Sequence, residues 1–265
     1  MTKEALIPKT IHYCWLSGEK MPADAVKCID SWKRHMPEYT LVLWDMNKFD
    51  IDSHRFVKEA CSAKKWAFAS DYIRLYALYT EGGIYLDTDV FVKKSFNDFL
   101  GNDFFSGIEY HENRVKNGKH LLNKDGTLKN KNNDDIFAHG IQIQAAIIGS
   151  VKGHPFIKSC LDWYGDKHFD PDIWTRFEKF VSPCIYAHIA TEYGFRYKNE
   201  FQKLNCGMTV YPNTFFAGNR TQSVKETYAV HRCDGSWRRT RYKILRKLRN
   251  NRFLRIIFGK KKLER

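Results

Sequence analysis

The 265-residue sequence predicts an α/β domain with a mostly parallel central sheet, and three observations carry that prediction. Short runs of β-formers alternate with segments of helical apolar spacing between Lys9 and Val90, the pattern of β-α-β units. An amphipathic segment then passes through Glu81-Gly82-Gly83 into a short apolar strand that ends in two carboxylates one residue apart, Asp87 and Asp89. Finally, the net charge of +14 is not spread over the chain. Residues 238–265 hold 13 Lys or Arg and one acid, Glu264, leaving a body with 31 basic and 29 acidic groups. The sequence therefore divides into a nearly neutral domain, 1–237, and a basic appendage, 238–265.

The elements follow in order. Lys9–Trp15 alternates and is rich in β-formers, so it reads as a first strand. Pro22–His35 places Ala25, Val26, Ile29 and Trp32 on one helical face, and Pro37 stops it. Thr40–Trp44 reads as a second strand, Phe56–Trp66 and Ala67–Tyr79 as helices, and Ile84–Leu86 as a third strand. Residues 110–135 are polar, rich in Asn, Lys and Gly, and weakly periodic, which predicts a long surface excursion. Apolar order returns with a strand at Gly140–Ser150, helices at Pro155–Tyr164 and Ser182–Tyr193, and a last strand-like piece at Glu226–Cys233.

Seven scattered cysteines form no CxxC pair or zinc spacing, which favours reduced thiols and a cytosolic setting. Neither a secretory leader nor an apolar run long enough to span a bilayer is expected.

In open parallel sheets, ligands sit beyond the carboxyl ends of the strands, where Trp15 and the Asp87–Asp89 pair fall. Residues two apart on a strand share a face. Two carboxylates on one face repel unless a cation intervenes, and a hard divalent cation bound there can hold a diphosphate. Asp71 and Arg74, three apart on a helix, are neighbours among positions that read as buried, where a charged pair is costly unless it faces a cleft.

Taken together, residues 7–18 (IPKTIHYCWLSG), 66–90 (WAFASDYIRLYALYTEGGIYLDTDV) and 229–237 (AVHRCDGSW) resemble glycosyltransferase family 32, sugar-transferring proteins of capsular and other surface-polysaccharide synthesis. The resemblance implies a GT-A fold, a nucleotide-sugar donor, Mn²⁺ or Mg²⁺, and retention of anomeric configuration. Position by position, it implies catalytic roles for Asp87, Asp89 and Arg74. Asp89 is the expected direct metal ligand. Asp87 is expected at the ribose and donor sugar, partly through the metal's water shell. Asp71 and Arg74 are expected on the donor hexose and phosphates, Trp15 stacked on the nucleobase, and Tyr85 in the same pocket. His231 is expected as a C-terminal ligand of metal or diphosphate, with Ser236 and Trp237 capping the diphosphate. The family pattern often has a second histidine near His231, where this chain has Arg232-Cys233. Gln142 and Gln144 are candidates for the β-face of the sugar, which retention requires some group to support.

The expected partners are a nucleotide sugar, UDP-linked by family habit, and a polysaccharide or lipid-linked acceptor. The tail mixes cations with Ile244, Leu245, Leu248, Phe253, Leu254, Ile256, Ile257 and Phe258, which suits an anionic membrane surface better than nucleic acid. This places the expected protein on the inner face of the cytoplasmic membrane. Two other readings compete. A haloacid-dehalogenase-type phosphatase also ends a strand in Asp-x-Asp, with Asp134-Asp135 as its later acidic motif. A non-enzymatic basic lipid- or nucleic-acid-binding module would leave the Asp87, Asp89, Asp71 and Arg74 set without a purpose.

Overall fold

In the computed structural model, residues 6–129, 140–174, 181–218 and 220–232 are described. Two compact units are distinguished, Met1–Cys233 and Asp234–Arg265, the second wholly outside the described residues. The elements of the first are β1 (Thr10–Cys14), α1 (Ala23–His35), β2 (Thr40–Trp44), α2 (Arg55–Ser62), α3 (Trp66–Glu81), β3 (Gly83–Leu86), β4 (Val90–Val92) and β5 (Phe104–Tyr110). Then come α4 (Glu112–Gly118), β6 (Ile141–Ser150), α5 (Pro155–Tyr164), α6 (Pro171–Trp174), α7 (Ser182–Ala190), β7 (Gln202–Lys203), β8 (Met208–Tyr211), β9 (Phe216–Ala217) and β10 (Ala229–His231).

A seven-stranded sheet runs in the order β2-β1-β3-β6-β5-β8-β7. The pairings make β1, β2, β3, β5 and β8 run one way and β6 and β7 the other, so the sheet is mostly parallel as expected. The expected strands and helices from β1 to β3 are present, except that α2 ends at Ser62 rather than continuing to Trp66. The polar excursion is more ordered than its composition implies. Its described part holds α4, a 3-10 turn at Lys119–Leu121 and a Leu122–Leu128 bridge. Asp134 and Asp135 lie outside the described residues.

A second, three-stranded sheet, β4-β10-β9, packs beside the first. Between them lies an aromatic core of Trp32, Phe96, Phe99, Phe105 and Phe216, each at most 2% exposed. This core fixes β4, which starts directly after Asp89. The Trp32 indole Nε1 donates to Val90 O at 2.7 Å, and the Val92 amide donates to Ser31 Oγ at 2.9 Å, so α1 grips both ends of that strand. The opposite face of the large sheet is covered by helices that include α3, α5 and α7, with a second aromatic cluster of Phe56, Tyr164, Phe169 and Trp174.

The Gly82-Gly83 break has a specific steric cause. Both residues have positive φ, +71° and +107°, which glycine alone adopts readily. A Cβ on Gly82 would stand 2.8 Å from Lys152 N, and one on Gly83 2.8 Å from Thr10 O. The close approach these glycines permit is thus of protein backbone to protein backbone. It lets α3 turn straight into β3 beside β1, and buried His12 seals the join by donating from Nε2 to Gly82 O at 2.7 Å while Nδ1 accepts from Trp44 Nε1.

Candidate active site

The carboxyl ends of β1 and β3 and the end of β10 converge, and with them most of the expected residues. Asp87 follows β3, with its amide donating to Ala146 O at 3.0 Å, and the chain turns so that the Val90 amide donates to Asp87 O at 2.9 Å. That turn presents Asp89. β10 then pairs antiparallel with β4 in a register that sets His231 opposite Val90. The Arg232 amide donates to Asp89 O at 3.0 Å, extending the pairing by one step. The result brings His231 Nε2 to 3.2 Å from Asp89 Oδ1. Asp87, Asp89 and His231 each offer a ligand atom, all within 4.8 Å of one another and all partly exposed.

These three residues fit a divalent cation. Donors on opposite sides of one ion lie about 4–5 Å apart, given metal–ligand distances of about 2.0–2.4 Å, so the set closes around an ion with little movement. Two carboxylates with one imidazole form a mixed oxygen and nitrogen donor set of the kind that divalent cations accept.

Arg74 stands behind this group. It is 4% exposed on α3, and every nitrogen of its guanidinium is engaged. Nη2 reaches Asp71 Oδ1 at 3.0 Å and Asp87 Oδ1 at 3.2 Å, Nη1 donates to Ala145 O at 2.9 Å, and Nε donates to Ser70 O at 3.3 Å. The guanidinium lies 4.8 Å from the centre of the Tyr85 ring, and the Tyr85 hydroxyl donates to Asp87 Oδ1 at 3.0 Å. Burial disfavours the cation, but Asp87, Tyr85 and Asp71 more than offset this and hold Arg74 protonated above the ordinary arginine range.

Asp71 sits on the same helix face, its side chain 13% exposed. Burial raises its pKa to about 6, and Asp87 adds to this, against the pull of Arg74 and of the nearby Ser182 hydroxyl. The sign of the linkage follows. An acid whose folded pKa lies above the unfolded value stabilises the fold below the unfolded value of about 3.8, and that contribution is lost as pH rises through about 6. Asp71→Asn removes this loss. The variant is expected to gain on the order of 1–3 kcal/mol of stability at pH 8, with no gain at pH 4, measured by denaturant unfolding. An Asp71→Asn variant that loses stability at pH 8 would show that the Arg74 pairing outweighs burial.

Trp15 follows β1 and is half-buried, its Nε1 donating to Glu19 O at 2.6 Å, so it stands at the rim rather than in the core. Ser236 and Trp237 lie outside the described residues. Of the two candidate glutamines, Gln142 donates to Cys184 Sγ on α7. Gln144 is fully buried, and neither its Nε2 nor its Oε1 has a hydrogen-bond partner among the described residues. It lies in a wide bulge of β6, where Gln144–Ile147 oppose the single residue Gly107 of β5. Bulges of this kind commonly re-aim side chains next to active sites.

One pair was missed by sequence reasoning. Glu109, at the end of β5, accepts from His111 Nε2 at 2.8 Å. Burial pushes the Glu109 carboxyl up, but His111, His231 and Arg114 outweigh it and hold the acid ionised below its usual range. The signal was available, because the two-apart spacing that singles out Asp87 and Asp89 recurs in Glu109 and His111 after an apolar run.

A sheet whose carboxyl edge carries an acidic turn, an imidazole and a charge-locked arginine is suited to hold a cation beside a diphosphate-bearing ligand. Comparison with known proteins agrees. Residues 22–105 match the glycosyltransferase sugar-binding region containing the DXD motif. The chain is 25% identical over 191 residues to an uncharacterized glycosyltransferase, L373, of Acanthamoeba polyphaga mimivirus, covering 68% of this chain and 74% of that one. It is 33% identical over 105 residues to inositol phosphoceramide mannosyltransferase 3 of Schizosaccharomyces pombe, covering 37% of this chain and 28% of that one. Among solved structures, the PaToxG glycosyltransferase superposes with a TM-score of 0.48 and 17% identity over 70% of this chain and 69% of that one. The chain thus carries a DXD-type glycosyltransferase sugar-binding region over residues 22–105 and is an enzyme of the glycosyltransferase type. Among the described residues, no helix is long and apolar enough to cross a membrane.

Proposed function

We propose that the protein is a metal-dependent, retaining glycosyltransferase that moves a sugar from a nucleoside diphosphate, UDP in the first instance, to a polysaccharide or lipid-linked acceptor. The observation that carries this reading is the continuity of two groups. The Asp87–Asp89–His231 set and the Asp71–Arg74 pair share one carboxylate, Asp87, so a diphosphate and the sugar it bears can be gripped side by side.

Asp89, Asp87 and His231 would hold the cation, which when bound would neutralise charge on the departing diphosphate. Trp15 offers its half-exposed indole to the nucleobase. Arg74, its charge held by two carboxylates and its fork fixed by backbone carbonyls, cannot swing away as charge develops, which is the preorganisation that electrostatic stabilisation needs. Asp71 accepts from hydroxyls of the donor hexose once ionised. Gln144, whose buried amide has no hydrogen-bond partner among the described residues, would support the β-face of the sugar. For retention we favour front-face attack. The acceptor oxygen bonds to the anomeric carbon on the face from which the diphosphate oxygen leaves, and the acceptor proton passes to that oxygen. The tail, 238–265, would hold the domain, 1–237, on an anionic cytoplasmic membrane surface through its cations and apolar side chains.

The test is a screen of nucleotide sugars for donor hydrolysis with the divalent metal varied, followed by the anomeric configuration of the product by NMR. Hydrolysis of one nucleotide sugar that needs Mn²⁺ or Mg²⁺, with retention, is expected. Hydrolysis of phosphomonoesters without any nucleotide effect would instead favour a phosphatase, and an inverted product would remove the role given to Gln144.

A further inference from the structure

The strand order lays the site out along one line. β1 ends at Trp15, its neighbour β3 ends at Asp87, β6 carries the Gln144 bulge, and β5 ends at Glu109, Tyr110 and the adjoining His111. If the nucleobase lies at β1, the diphosphate at β3 and the sugar over β6, the next position in line belongs to whatever attacks the sugar.

That position is built, not incidental. The His111 amide donates to Gly140 O at 2.8 Å, and Gln222 Nε2 donates to Tyr110 O at 2.9 Å, which ties the end of β5 both to the start of β6 and to the segment leading into β10. The Glu109 side chain is 16% exposed and that of His111 40%. One Glu109 oxygen accepts from His111, and the other takes no hydrogen bond among the described residues. His231, which touches Asp89, also lies near enough to Glu109 to help hold its carboxylate ionised. An ionised carboxylate with an open oxygen, next to an imidazole, can accept from and donate to neighbouring hydroxyls of a sugar. A pair serving only as a surface ion bridge would not need its acid mostly buried and its backbone fixed on both sides.

We propose that Glu109 and His111 form the acceptor subsite and bind the hydroxyls of a glycan acceptor, an assignment that rests on the donor-site reading above. The experiment uses the full chain and the nucleotide sugar found in the donor screen. Methyl β-galactoside, methyl α-glucoside and methyl α-mannoside serve as acceptors, with transfer and hydrolysis products measured in the same reaction. Glu109→Gln is expected to lower the transfer-to-hydrolysis ratio about tenfold, through a higher KM for the glycoside, because a hydrogen bond to a charged acceptor is lost. His111→Gln is expected to shift the ratio the same way by less. An unchanged ratio in both variants would overturn the assignment, whether or not their melting temperatures fall. So would a wild-type protein that hydrolyses its donor but glycosylates none of the three glycosides. If no nucleotide sugar is hydrolysed, and UDP with Mn²⁺ gives no thermal stabilisation, the donor-site reading itself fails and takes this one with it.

Discussion

Asp89→Ala is expected to remove the thermal stabilisation that UDP with Mn²⁺ would give on the proposed reading and to lower sugar transfer by about 10²–10³-fold or more, the cost of losing a charge-stabilising group at the departing diphosphate. The fold without ligand is expected to stay within about 0.5 kcal/mol of wild type. The reason is local. The Asp89 backbone carbonyl still accepts from the Arg232 amide, and Trp32 and Ser31 still hold β4, so the turn keeps its course when the side chain is cut. Only the carboxylate is lost, and with it the contact to His231. Asp89→Asn, which keeps the shape, should behave almost as Asp89→Ala does, because the charge is what the site needs. Melting curves with and without UDP and Mn²⁺, read beside turnover, check this. An Asp89→Ala protein that still gains stability from the pair would move the metal elsewhere.

Arg74→Ala has the larger effect on the fold. It deletes the cation between two carboxylates, Asp71 and Asp87, and leaves Ala145 O without its donor. Removing one member of a buried charged set costs about 3–5 kcal/mol, because the remaining charge has nothing to face. Part of that cost is avoided once Asp71 takes up a proton, which without the pull of Arg74 begins above its wild-type value of about 6. The destabilisation is therefore expected to shrink between pH 8 and pH 5, in urea unfolding followed at both values. Arg74→Lys separates charge from geometry. A single ammonium cannot reach Asp71, Asp87, Ala145 O and Ser70 O at once, so stability is partly restored while transfer stays well below wild type. An Arg74→Lys enzyme with wild-type turnover would show that the planar fork is not required.

The first half of the fold was legible because its signals are local. Alternation and helical spacing marked β1, α1, β2, α3 and β3, and the apolar run at β6 was long enough to stand out. The rest depends on distant pairing. β7 and β9 have two residues each and β4 three, too few to show any period, and they exist because a partner strand or a helix side chain holds them, whereas β10 falls within the expected strand-like piece. β5 was not read although it pairs with both β6 and β8, because Gly107 and Glu109 interrupt its apolar run. At the site, Asp71 and Arg74 were visible as helix neighbours and Asp87 and Asp89 as a strand-end pair. His231 was reachable only through family resemblance, because nothing around it in the chain shows that β10 will lie against β4 in the register that meets Asp89. The bulge that strands Gln144 was invisible, since it arises from a mismatch between β5 and β6 rather than from either sequence alone.

That late pairing of β10 with β4 has a consequence for synthesis. The acidic turn leaves the ribosome with most of the chain still to be translated, whereas His231 arrives only after the whole large sheet has been made. A nascent or prematurely ended polypeptide can thus fold its first strands and display both aspartates, yet lack the imidazole that completes the trio. On the proposed reading the cation would be fully held only once translation has passed β10, so half-made chains in the cell would neither sequester it nor consume a sugar donor.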